Sequence, residues 1–195
     1  VSAPRCLIVN ADDFGFTPDV NAGIVEAHRK GILTAATIMA NGAAFDDAVR
    51  LGASNPSLDI GCHLVLVQGE SVLMPGTPLP ETLGELVRAV ALKRIRIYEE
   101  LAAQVRRVLD SGLNPSHLDT HKHTHLLPPV LEAVARISEE FRIRWVRRPF
   151  DFASSGGAVP WRKRVISRCL GALEGRFDRV LASHGCLTTD HFAGF

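Results

Sequence analysis

Asn10-Ala11-Asp12-Asp13-Phe14-Gly15 places two carboxylates side by side just after an apolar run. Adjacent acids repel, and they persist together where a metal ion or a shared proton offsets the repulsion. Further along, His63 interrupts another apolar run, and His117, Asp119, His121, His123 and His125 follow at alternate positions. A carboxylate with two imidazoles suits one divalent ion that keeps coordination positions open for water and substrate. Zinc or magnesium come first, with manganese and iron as alternatives. The remaining carboxylate could accept a proton from water. On residue types alone Asp12 and Asp13 are interchangeable in these roles. His117, four residues before His121, is a rival ligand by spacing. Each feature taken singly is more often a helix cap, a core histidine or a solvated turn.

The chain must fold so that these distant groups meet. Short β-branched or apolar runs predict strands over residues 6–11, 34–39, 58–67, 116–120, 143–146 and 179–183. Helical spacing predicts a helix from Thr17-Pro18 to Gly31, and others over 43–51, 81–92, 98–109, 128–141 and 161–173. Residues 68–80, rich in Gly and Pro, read as a mobile or substrate-facing insertion. Strand starts recur at about 30 residues except across that insertion, as βα units do. The expected architecture is α/β: a distorted TIM-like barrel of parallel strands, one domain over 1–195. In such folds functional groups gather at the C-terminal strand ends, where Asp12, Asp13, His63 and the histidine run are expected. An extended chain would turn the odd-numbered residues 117–125 to one side. Eight strand steps span ~26 Å, however, so only one or two of those histidines can share a site.

Composition narrows the partners. Twenty-two basic and 21 acidic residues give a formal charge of +1, so nothing drives the chain toward nucleic acid or an anionic membrane surface. A small-molecule ligand fits better. Cys6, Cys62, Cys169 and Cys186 show no CxxC spacing and read as reduced thiols, which favours a cytoplasmic setting. No apolar run approaches the ~18 residues of a membrane span.

Three motifs together resemble the YdjC-like carbohydrate deacetylases, a family that includes chitooligosaccharide deacetylase and the hopanoid-biosynthesis-associated HpnK proteins. They are Asn10 to Gly15, Gly61-Cys62-His63-Leu64, and His117 to His125 followed by Leu-Leu-Pro. Asn41-Gly42 and Arg147-Arg148-Pro149 extend the likeness. The resemblance implies that Asp13, His63 and His121 bind the metal, that Asp12 is the catalytic base, and that Arg148 contacts the substrate or a site carboxylate. It implies hydrolysis of an N-acetylated sugar to acetate and a free amine. His125 and His184 are candidates for donating a proton to that amine. Thr188 to Phe192 and Gly194 are closer to the HpnK proteins, which favours a hopanoid-linked sugar. Family members continue past the point matching Phe195, so the expected barrel lacks its last elements, and its open edge favours a homo-oligomer. Two alternatives stay in view: a metal-dependent sugar isomerase or epimerase on the same barrel, and a non-catalytic metal- or sugar-binding protein.

Overall fold

The computed structural model describes residues 6–150 and 173–193. Among them five strands, β1 (Asn10–Phe14), β2 (Ala35–Ile38), β3 (Asp59–Leu64), β4 (His117–Thr120) and β5 (Trp145–Val146), pair in parallel in chain order. A doubly wound sheet reverses its strand order, whereas successive barrel strands add to one side. The 1-2-3-4-5 order is that of a partial TIM barrel.

Helices follow the strands: α1 (Pro18–Lys30), α2 (Phe45–Ala53), α3 (Leu83–Ala91), α4 (Ile97–Asp110) and α5 (Pro128–Phe141). The Thr17 hydroxyl caps α1 by accepting from the Val20 amide, and Pro18 fills its first turn, as the sequence indicates. Residues 173–183 form a further helix, α6. This corrects the strand expected over 179–183. Phe177 and Leu181 are buried four residues apart, and the short run Val180-Leu181-Ala182 cannot by itself separate helix from strand. Leu187 instead pairs beside Trp145, its carbonyl accepting from the Val146 amide at 2.9 Å. The expected helix over 161–173 lies outside the described residues up to position 172.

A second correction concerns the start of the chain. Strand β1 begins at Asn10 and runs through both aspartates, while Leu7 and Ile8 are 80% and 57% exposed rather than buried on two faces. The strand lies at the edge of the described sheet and has one neighbour there, so the residues before it need not be enclosed.

Register sorts the side chains into two faces. Thr37 pairs with Gly61, His63 with Asp119 and His117 with Trp145, so these residues share one face. Ile38, Cys62, Leu64, Leu118 and Val146 point the other way into the apolar core, against helix residues such as Val105, Val134 and Ile137. Polar groups therefore line one side of the sheet and the helices cover the other.

The insertion over 68–80 is held by a buried carboxylate. Glu100 of α4, 2% exposed, accepts from the Ser71 hydroxyl, the Val72 and Leu73 amides and the Gln104 side chain. Gln104 in turn bonds both backbone groups of Val65. Replacing Glu100 with Ala leaves those donors without their acceptor. Urea unfolding should then show a loss of about 2–4 kcal/mol, and limited proteolysis should begin within 68–80.

Candidate metal centre

Three side chains from three strand ends converge. His63 Nε2 lies 3.3 Å from Asp13 Oδ1, His121 Nδ1 lies 3.3 Å from the same oxygen, and the two nitrogens are 3.2 Å apart. Bonds of ~2.0–2.2 Å from one ion to three ligands at near-tetrahedral angles give edges of this size. Asp13 Oδ1 is buried and makes no hydrogen bond of good geometry, although both imidazole nitrogens stand close to it. Three potential ligand atoms thus stand around one point with no well-aligned hydrogen bond to Asp13 Oδ1 among them. Asp13, His63 and His121 could hold a metal ion, and the donor set fits one.

Backbone distortion makes the arrangement possible. In a regular strand Asp12 and Asp13 would face opposite sides. Asp13 has φ 63°, and the β1–β2 register shifts between Ala11 and Phe14. The bulge turns Asp13 to the face that Asn10 and Asp12 already occupy. Left-handed backbone at a non-glycine residue is uncommon and concentrates at functional sites.

Beyond Thr120 the chain leaves the strand and enters a 3₁₀ turn, His121–Leu126, broken by left-handed Lys122 and His123. The alternation expected over 117–125 therefore ends at Asp119, and the histidines separate. His121 faces Asp13. His125 is fully buried; its Nε2–H donates to the Arg147 carbonyl, so its Nδ1 accepts from the Thr120 hydroxyl. Burial pushes it down to about pKa 4 and keeps it neutral. His117 bonds Ser116 and Asn10 instead of the cluster. His123 packs edge-on against Phe192 and His125. His184 lies against Glu139 and Glu132 on α5.

Behind the triangle stands Asp119, which is fully buried. Its Oδ1 accepts from His63 Nδ1 at 2.6 Å, which turns Nε2 toward Asp13 and His121, the orientation that a carboxylate–histidine–metal relay would need. Its Oδ2 meets Arg147 at 2.7 Å and the Thr37 hydroxyl at 3.1 Å. Arg147 also forms a two-pronged pair with Asp12, at 2.6 and 2.7 Å. Arg148, the arginine expected at the site, pairs with Glu174 and Asp178 of α6. Arg147 is the one that enters the cluster. Asp12, His63 and Asp119 also lie near one another. There the Arg147 guanidinium already supplies the cation to both carboxylates.

Thr37 and Asn21 lie outside the motifs, and Asn10 and Arg147, though within the stretches that resemble the family, have no role assigned by that resemblance. Asn21 joins the β1–α1 turn to α2, accepting from the Gly15 amide and donating to the Ala44 carbonyl and Asp47. Arg147 was accessible from alternation: Val146 points to the core, so the next residue falls on the face of Asp119.

The charges respond accordingly. Burial disfavours the charged form of His63, but Asp119 and then Asp13 outweigh it and raise its pKa to about 10. His121 and then His63 hold the Asp13 carboxyl well below the usual carboxylate range. Burial likewise opposes the Arg147 charge, and Asp119 and Asp12 more than restore it.

A parallel sheet in barrel order with a two-histidine, one-aspartate cluster at its strand ends defines the class: an α/β protein of the TIM-barrel type with a candidate metal centre. The model of the YdjC-like protein family matches residues 6–195, and the chain belongs to that family. A carbohydrate deacetylase of Brevibacillus brevis is 41% identical over 152 residues, covering 76% of this chain and 61% of that protein. The chain thus spans less than two thirds of that relative's length. A crystal structure from Enterococcus faecalis, described as a candidate cellobiose-phosphate cleavage protein, superposes with a TM-score of 0.62 at 25% identity, over 87% of this chain and 64% of that one. A lactam utilization protein from Thermus thermophilus shares the fold, with a TM-score of 0.51 at 13% identity over 95% of this chain and 65% of that one.

The raised His63 value fixes the sign of a pH effect. In the metal-free protein this proton's stabilising contribution is complete below the free value of 6.5 and lost as pH rises through about 10. A divalent cation must displace the proton from Nε2, so rising pH favours binding. Calorimetric titration with zinc at pH 7, in buffers of different ionisation heat, should report about one proton released per ion. His63→Ala should abolish both binding and release.

Proposed function

We propose that the chain carries the site of a metal-dependent hydrolase that removes the acetyl group from an N-acetylated sugar. The Asp13–His63–His121 triangle with the spare carboxylate of Asp12 beside it is the observation that supports this reading. The Brevibacillus brevis relative, named a carbohydrate deacetylase, supplies the substrate class. A hopanoid-linked glycan is a finer reading that rests only on the likeness of Thr188 to Phe192.

In this proposal Asp13, His63 and His121 hold the ion, zinc or magnesium. A divalent ion held there would polarise the acetyl carbonyl and lower the pKa of water toward ~7. Asp12 takes the proton from the attacking water as oxygen adds to the acetyl carbon, and returns it to the nitrogen as the C–N bond breaks, releasing acetate and the amine. Arg147 holds the plane of Asp12 through its paired contacts. Arg148 keeps the role of a substrate contact only if its pairing with Glu174 and Asp178 opens. Neither His125, enclosed between Thr120 and Arg147, nor His184, on the α5 glutamates, is placed to protonate the amine.

Acetate release from N-acetylglucosamine oligomers, followed with an amine-specific reagent, tests the reading. Asp12→Asn should lower kcat about 10²–10⁴-fold with the metal still bound, and chelation should abolish turnover. Full activity in Asp12→Asn would remove Asp12 as the base. An isomeric product with its acetyl group intact would replace hydrolysis with isomerisation.

A further inference from the structure

We infer that His117 is a positioning residue, which acts through Asn10 to fix the Asp12 carboxylate and to select the oxygen that faces the reacting water. The inference rests on the deacetylase reading of Asp12 given above.

The chain of contacts is continuous. The Ser116 hydroxyl lies 2.8 Å from His117 Nδ1, His117 Nε2 lies 3.2 Å from Asn10 Oδ1, and Asn10 Nδ2 donates to Asp12 Oδ1 at 2.9 Å. Polarity runs one way along it. Asn10 donates through Nδ2, so its carbonyl oxygen accepts, and His117 must present Nε2–H to it. His117 Nδ1 then carries the lone pair that takes the Ser116 proton. The Ser116 hydroxyl also lies 3.4 Å from the Ile60 carbonyl, the longer of its two acceptor contacts.

Reaching Asn10 requires His117 to cross the sheet. Asn10 is on β1 and His117 on β4, with β2 and β3 between them. Gly61 of β3 leaves the passage open. A Cβ there would stand 2.6 Å from His117 Cδ2, Nε2 and carbonyl oxygen, too close for any side chain. The glycine of the Gly61-Cys62-His63-Leu64 motif thus has a use that its neighbour His63 does not explain.

The brace also distinguishes the two oxygens of Asp12. Oδ1 receives Asn10 Nδ2 and Arg147 Nη2, while the Thr37 hydroxyl, 3.4 Å away, gives its proton to Asp119 at 3.1 Å. Among the described residues, Oδ2 is bonded by Arg147 Nη1. A carboxylate oxygen has about two lone-pair sites, so Oδ1 is saturated and Oδ2 retains one for the proton of water. Without His117, Asn10 loses the contact that orients its amide, and Asp12 is clamped from the Arg147 side only.

The test combines kinetics with a double-mutant cycle. His117→Ala should lower kcat about 10–100-fold, leaving KM and zinc stoichiometry unchanged. Asn10→Ala should show the same loss, and the double variant should lose no more than either single one. His117→Gln, which offers a side-chain N–H in place of Nε2–H, should recover most of the rate and serves if the alanine variant does not fold. Wild-type kcat in His117→Ala, additive losses, or a change in KM or zinc stoichiometry would each overturn the inference. If the unaltered protein releases no acetate, the deacetylase reading fails by itself. The brace is then judged by NMR. A slowly exchanging Asn10 side-chain amide that exchanges fast in His117→Ala upholds the link, and equal exchange in both removes it.

Discussion

The contact between Asp119 and His63, 2.6 Å in the interior of the sheet, is the interaction on which the rest of the site depends. A carboxylate without solvent costs several kcal/mol unless its charge and its lone pairs are satisfied. Asp119 is satisfied by three groups, each of which does something else as well. His63 turns its second nitrogen toward Asp13 and His121. Arg147 extends its remaining donors to Asp12. Thr37 closes the space between the two carboxylates. One buried charge therefore orients both the candidate ligand set and the candidate base.

The second constraint is backbone strain at the end of β1. The left-handed Asp13 and the register shift beside it carry a cost of about 1–3 kcal/mol. The cost is sustained because neighbouring contacts over-determine the turn. The Phe16 amide bonds the Asp13 carbonyl, the Gly15 amide bonds buried Asn21, and the Met39 amide bonds the Phe14 carbonyl. Two adjacent acids consequently share a site that strand geometry would divide between opposite faces.

The sequence disclosed the parts of this arrangement with strong local chemistry. Thr17-Pro18 and Pro128 mark helix starts by capping and by proline geometry, and α1 and α5 begin and end where those signals place them. The acid pair and His63 stand out as polar groups beside or within apolar runs, whereas His121 is singled out from the histidine run only by the family resemblance. What escaped was set by tertiary contact. The 3₁₀ turn at His121 depends on two left-handed residues with no glycine to announce them. Helix α6 and a strand share the same short apolar run, and only the burial of Phe177 and Leu181 separates them. Arg147 and Arg148 are identical in type, and register alone assigns one to the cluster and the other to α6.

Glu100 lies far along the chain from the three motifs, yet it orders the segment that follows β3. Its hydrogen bonds order residues 71–73 as the chain folds, and Lys122 and Asn41 tie the base of the same segment through Gln68 and Glu70. A segment ordered during folding adds little ordering entropy to any later encounter with a ligand. The helix that carries Glu100 thereby keeps the chain between β3 and α3 in one shape without approaching the chemistry.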